Sequence, residues 1–201
     1  MASISDSRVS DVRKLYYDES LSMQEIADNF GVSLDAVCYF MRKNGLERRN
    51  ASQANRVRFD SRDSSFILKD QLSTAEEKLK VAGIMLYWAE GAKYKKGRTV
   101  DFANSDVAMI CLFLDFLRTI CGIDESKLRI LLYCYANHDV GKLKRFWSQK
   151  TDVDLEQFIK PYVREDYDIE KIDRMPHGLI HVRYHDKKLL TLLKKWISEY
   201  K

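Results

Sequence analysis

Apolar residues recur at helical spacing in three short stretches at the start of the chain. These stretches are residues 9–18, 23–30 and 34–43. Ser22 and Glu25 have the spacing of a capping box before the second stretch, while Gly31 and Ser33 supply a turn glycine and an N-cap before the third. Residues 1–48 are therefore predicted to form a trihelical module.

A polar segment with several arginines follows, and after it the pattern changes to alternating helices and strands. Residues 49–73 contain few apolar side chains and are predicted to be a basic linker or arm. In residues 74–201, the predicted helices are 74–91, 107–121, 140–150, 155–162 and 187–200, and the predicted strands are 98–103, 127–136 and 178–184, with a hairpin turn at 95–97. The predicted class is α+β, with an antiparallel or mixed sheet covered by helices.

Two of the predicted strands carry a polar and aromatic face opposite an apolar one. The polar face contains Arg129, Tyr133 and Tyr135 from the strand at 127–136, and His181, Arg183 and His185 from the last strand. Such a basic, aromatic surface suits a nucleic-acid backbone, and a solvated sheet face is the alternative interpretation. His177 and His181 also have HxxxH spacing, but the predicted strand at 178–184 means that they do not share a helical face, so the spacing does not predict a zinc site.

Composition and charge narrow the class of protein only slightly. The 201 residues carry a formal net charge of +4, which by itself is too mild to establish a polyanionic partner. The four cysteines include no CxxC pair and lie in apolar segments, which indicates buried free thiols in a reducing compartment. The longest apolar run, residues 81–89, is about half the length that spans a bilayer. We therefore expect a soluble, intracellular protein of the cytoplasm or nucleoid, with no membrane partner.

The spacing of Ala27, Gly31, Val37 and Phe40 fits two helices that cross closely around a tight turn. In this feature residues 8–49 resemble the helix-turn-helix family of DNA-binding modules. The resemblance implies that residues 34–43 form a recognition helix whose first turns face base edges. The implied base-reading residues are Ser33, Asp35, Ala36 and Tyr39, and the implied phosphate contacts are Arg42, Lys43, Arg48 and Arg49. A trihelical protein-interaction module is the alternative interpretation.

The helix predicted at residues 74–91 ends on an unfavourable charge. Glu90 lies in its last turn, where the negative end of the helix dipole disfavours a carboxylate by about 0.3 to 1 kcal/mol. A bound divalent cation would neutralise this carboxylate. The basic residues that follow, Lys93 among them, would do so equally well.

The run from Val81 to Gly91, together with Phe102-Ala-Asn-Ser-Asp106 before the next apolar helix, resembles the LAGLIDADG homing-endonuclease family over residues 75–200. In that family two such helices pack together through small residues, and each delivers one acid to a shared metal site over DNA. Ala82 and Ala89 are the matching small residues, with ordinary core alanines as the alternative. Because this chain has one such helix, the resemblance implies a homodimer on double-stranded DNA.

The same resemblance implies an activity for this second part of the chain. Glu90, with Gly91 beside it, would contribute to a Mg²⁺ site completed by the second subunit, and Lys93 would stabilise the charge that develops on the phosphate. The implied activity is sequence-specific DNA cleavage by metal-assisted phosphodiester hydrolysis. The alternative is a DNA-binding transcriptional regulator whose LAGLIDADG-like domain does not cut.

Overall fold

The protein combines helices with a mixed sheet in the computed structural model, which describes residues 4–94, 97–165 and 175–201. Within these residues the helices are α1 (Val9–Arg13), α2 (Met23–Phe30), α3 (Leu34–Lys43), α4 (Ala51–Ser61), α5 (Thr74–Glu90), α6 (Val107–Asp115), α7 (Val140–Thr151) and α8 (Lys187–Ser198). The strands are β1 (Val100–Asn104), β2 (Leu128–Tyr135), β3 (Tyr162–Arg164) and β4 (Leu179–Tyr184). The predicted α+β class is confirmed. The chain divides into two units, Met1–Asp63 and Ser64–Lys201.

The first three helices share one apolar core. α1 continues as a π-helical turn at Lys14–Asp18, while α2 and α3 begin and end at the predicted residues. Gly31 ends α2 in the left-handed conformation, at a φ of 64°, which glycine adopts without steric cost. The side chains of Ser22 and Ser33 cap α2 and α3. The buried core consists of Val12, Tyr16, Ile26, Ala27, Val37, Phe40, Met41 and Leu46.

The segment at residues 49–73, predicted to be a linker, contains a helix and is shared between the two units. Asn50 and Gln53 form a reciprocal capping box at the start of α4, which has no buried residue. Helical periodicity did not predict α4 because the segment lacks an apolar stripe. Residues 64–73 belong to the second unit, where the backbone N and Oγ of Ser65 donate to Asp186 at 3.1 and 2.7 Å.

The second unit is built on a sheet of four strands in the order β1-β4-β2-β3. β4 pairs antiparallel with both β1 and β2, whereas β3 pairs parallel with β2. Strand alternation places Phe102, Ile130 and Val182 on a fully buried face. The opposite face is partly exposed, as the alternating pattern of the sequence predicted for β2 and β4.

Residues 155–162 differ from the short helix predicted there. Only Leu155–Gln157 form a helical turn, of the 3₁₀ type, after which Phe158 bridges to Ile130 and the chain enters β3. The hairpin predicted at 95–97 includes two lysines outside the described residues. The residues before this turn pair with β1: Gly91 lies opposite Phe102, and the Ala92 amide donates to the Asp101 carbonyl at 2.9 Å.

Helices cover the buried face of the sheet and complete its core. α5 packs against α6 and α8, and α7 packs against α6. Phe113, Phe116 and Trp147 are among the largest fully buried side chains of this layer. In the parts of the chain that the structure describes, no helix is long and apolar enough to cross a membrane.

Candidate nucleic-acid interface

The outward side of α3 carries most of the residues expected to read bases. Asp35 and Tyr39 are exposed, Tyr39 by 59%, and Ala36 is half-buried. Ser33 is also exposed, but its hydroxyl already accepts the Ala36 amide at 3.2 Å as the N-cap. Ser33 therefore caps the start of the helix. Asp35 exposes a carboxylate to solvent, and Tyr39 exposes an aromatic ring.

The basic residues expected to contact phosphate have different surroundings. The Arg42 guanidinium lies 5.7 Å from the centroid of the Tyr39 ring, so the two side chains share one exposed patch. Lys43 forms an exposed ion pair with Asp6 at 2.7 Å, and this hydrogen bond raises the pKa of the Lys43 ammonium. Arg48 is exposed.

Arg49 is bound inside the first unit instead of pointing to solvent. Its guanidinium lies 4.1 Å from the Tyr16 ring centroid and donates to the carbonyls of Tyr16 and Leu21, the latter at 2.9 Å. Its backbone amide donates to the Tyr16 hydroxyl at 2.8 Å. Arg49 thus fixes the chain just before α4, and the exposed arginines of that helix, Arg56 and Arg58, are the ones available to an external anion.

Side chains from all four strands form the partly exposed face of the sheet, which we call the open face. Its members are Asp101 and Ala103 of β1, Leu179, His181 and Arg183 of β4, Arg129, Leu131, Tyr133 and Tyr135 of β2, and Tyr162 and Arg164 of β3. The structure therefore brings together five of the six sheet residues singled out in the sequence. The sixth, His185, lies just beyond β4, where its Nδ1 is 2.8 Å from the Thr99 hydroxyl.

Asp101 organises the basic residues at one end of the open face. One of its carboxylate oxygens lies 2.8 Å from His181 Nδ1, and the other accepts Arg183 Nε at 2.9 Å. Burial alone would raise the pKa of Asp101, whose side chain is 14% exposed, but His181 and Arg183 outweigh burial and lower that pKa. Sequence analysis missed Asp101 because the contact joins residues that only strand pairing brings together.

Tyr162 is a second residue that the sequence analysis missed. It was assigned to a helix, whereas the β2–β3 register places it opposite Tyr133. The two rings stack with centroids 4.8 Å apart and planes at 15°. β3 is only three residues long and all three are exposed, so the sequence contains no alternation that would distinguish it from a helical turn.

Glu90 and Lys93 are both exposed at the end of α5. A Cβ on Gly91 would lie 2.5 Å from the Tyr87 ring, so the chain leaves the helix tightly against that ring. Burial raises the pKa of the Tyr87 hydroxyl to about 12, which keeps it neutral. Among the described residues no three His, Cys, Asp or Glu side chains are grouped to hold a metal ion.

The two sides of α5 differ in their surroundings. Gly83, Ile84 and Tyr87 face the core, and Gly83 accommodates the Phe116 ring. On the outward side, Val81 is 43% exposed, and Ala89 is exposed as well. Ala82 is half-buried. From Val81 to Ala89 the outward side of this helix therefore carries no charged residue, whereas Glu77 and Lys78 are exposed in its first half.

The HxxxH pair is divided between two environments. The His177 ring stacks on Phe146 with centroids 3.8 Å apart, and its carbonyl accepts Trp147 Nε1 at 2.8 Å. His181 is held by Asp101 on the open face.

Comparisons with protein-family models, curated proteins and solved structures gave no match. Neither the helix-turn-helix nor the LAGLIDADG resemblance therefore has independent support.

Proposed function

We propose that this chain is a sequence-specific binding protein for double-stranded DNA, with α3 as the recognition helix. The observation that carries the proposal is the exposed patch of Asp35, Tyr39 and Arg42 on a helix placed by a tight Gly31 turn against α2. A recognition helix places an exposed side of this kind in the major groove. There a carboxylate accepts a hydrogen bond from the cytosine amino group, and an aromatic ring contacts the thymine methyl group.

The exposed arginines around α4 supply the contacts to phosphate in this proposal. Arg48, Arg56 and Arg58 point to solvent, although Arg56 also lies 3.7 Å from Asp60 in an exposed ion pair. Such a pair contributes little to stability and exchanges readily for a phosphate. Arg49 holds the start of the arm and is not one of the proposed phosphate contacts.

The test begins with selection of a bound duplex from a random pool. Tyr39→Ala is then expected to weaken binding to the selected duplex by about 1 to 3 kcal/mol, with little change on unrelated duplexes. Tyr200→Ala, which removes an exposed tyrosine from the other unit, is the matched control and should leave both affinities unchanged. Selection of no preferred sequence, or equal affinities for Tyr39→Ala and the parent, would contradict the proposal.

A finer proposal is that the second unit cleaves the bound DNA as a homodimer. Its support is the uncharged outward side of the second half of α5, from Val81 to Ala89, which leads to the exposed Glu90. Among the described residues of one copy, Glu90 does not belong to any group of three His, Cys, Asp or Glu side chains that could hold Mg²⁺. A site would therefore require Glu90 from two copies, with Gly91 and Lys93 next to it.

Cleavage is tested on a plasmid that carries the selected sequence. With Mg²⁺ the parent is expected to nick or cut it, Glu90→Gln to bind without cutting, and chelation of Mg²⁺ to stop cleavage. Glu77→Gln, on the outward side of the same helix, serves as the matched control. If the parent binds the site and leaves the plasmid intact, the regulator alternative is the correct one.

A further inference from the structure

The open face changes in character from one end to the other. The strand register defines four rows across β1, β4, β2 and β3. The arginine row contains Asp101, Arg183 and Arg129; the middle row contains Ala103, His181 and Leu131; the aromatic row contains Leu179, Tyr133 and Tyr162; and the last row contains Tyr135 and Arg164. Arg129 and Arg183 therefore lie at one end of the open face, the aromatic row lies further along it, and Arg164 lies beyond that row.

The aromatic row offers an unused ring surface. Tyr162 stacks on Tyr133 through one side of its ring and remains 56% exposed, so its second side faces solvent. Leu179 and Leu131 lie half-buried beside Tyr133 and give this part of the open face an apolar lining. An exposed aromatic ring set in apolar surroundings is suited to a flat, weakly hydrated partner.

The arginine row carries a net positive charge. Arg129 and Arg183 oppose one carboxylate, that of Asp101, and Asp101 holds Arg183 in place at 2.9 Å. The Arg129 guanidinium is also fixed, because it donates to the Ser126 and Leu128 carbonyls at 2.6 and 2.7 Å. Arg129 and Tyr133 are four residues apart on one strand, which corresponds to about 13 Å.

We propose that the open face binds an unpaired segment of DNA, with a base stacked on Tyr162 and the phosphates of the same strand at the arginine row. Every base has a face that stacks on an aromatic ring, but in a duplex these faces are covered by neighbouring bases. The inference rests on the proposed DNA binding by α3, which would bring a DNA strand to this chain.

The test uses the full-length protein and a short single-stranded DNA that contains one 2-aminopurine, whose fluorescence falls when the base stacks. We expect binding to quench the probe, and Tyr162→Ala to weaken binding by about fivefold to a hundredfold. Tyr162→Phe retains the ring and should bind like the parent. Tyr94→Ala is the matched control, since Tyr94 is 73% exposed in the same unit but outside the open face.

Several outcomes would overturn the inference. One is equal affinity of Tyr162→Ala and Tyr94→Ala for the single strand. If Tyr162→Ala does not fold, as judged by circular dichroism, the parent protein alone provides the test. A probe strand that binds the parent without loss of 2-aminopurine fluorescence would also overturn the inference. Tighter binding of an RNA strand of the same sequence would show that the open face prefers RNA to DNA, which contradicts the proposal. Binding of the selected duplex, measured in parallel with Tyr39→Ala, reports on α3 separately, so failure of one proposal is distinguishable from failure of the other.

Discussion

Asp186 joins the start of α8 to the segment that enters the second unit. Its carboxylate accepts the Lys188 and Leu189 amides at 2.7 and 3.0 Å as well as both Ser65 donors. Burial would raise the pKa of this carboxyl, but the hydrogen bonds from Ser65 and the helix amides outweigh it and lower the pKa below the ordinary 3.8. A lowered pKa in the folded state means that the charge stabilises the fold above pH 3.8, and that this stabilisation disappears as the pH falls through the folded-state pKa.

Asp186→Asn keeps an oxygen acceptor but removes the charge. We expect it to lower the free energy of unfolding by about 1 kcal/mol at neutral pH, and the difference from the parent to shrink as the pH falls below 3.8. Urea unfolding followed by tryptophan fluorescence measures this, since Trp88, Trp147 and Trp196 all lie in the second unit. Asp70→Asn, at an exposed position, is the control. A difference that stays constant from neutral to acid pH would contradict this account.

At the scale of elements, the contact between α5 and the π-helical segment Phe116–Ile120, which follows α6, depends on the absence of a side chain. A Cβ on Gly83 would lie within 2.6 Å of three carbons of the Phe116 ring, and both residues are buried. Gly83→Ala is therefore expected to destabilise the second unit by about 1 to 3 kcal/mol, although alanine favours helix elsewhere. Gly83→Ala combined with Phe116→Leu should recover part of the loss in urea unfolding. Additive destabilisation by the two changes would show that the overlap is not its cause.

Elements with a local signal could be predicted from the sequence, and those set by pairing could not. α2 and α3 have serine caps and the Gly31 turn, all within a few residues, so their bounds were predicted correctly. β2 and β4 alternate over enough residues to reveal both faces. β3 has only three residues and depends on its register with β2. For the same reason the candidate site was predicted in part: Arg129 and His181 follow from alternation, whereas Asp101 and Tyr162 acquire their partners across strands.

At the scale of the whole molecule, the outward side of α5 determines how copies of the chain associate in the proposed homodimer. Val81 is 43% exposed there and is not among the buried core residues, so Val81→Glu should change the free energy of unfolding by no more than about 0.5 kcal/mol. It should convert the dimer to a monomer, because a buried carboxylate at an apolar interface has no counter-ion. Light scattering measures the mass, and Glu77→Gln on the same helix is the control. A parent that is monomeric with DNA bound would exclude the shared site.

The helix α4, at the end of the first unit, is expected to be sensitive to proteases. Arg49 is tied to carbonyls and to the Tyr16 ring, while α4 has no buried residue and has a capping box at its start. A helix of this length without buried residues is marginally stable in water. It therefore unfolds locally often enough to expose its peptide bonds to a protease. Brief trypsin digestion should therefore cut after Arg56 or Arg58 well before Arg49, releasing two stable fragments that mass spectrometry can identify. DNA bound along α4 should slow this cut selectively.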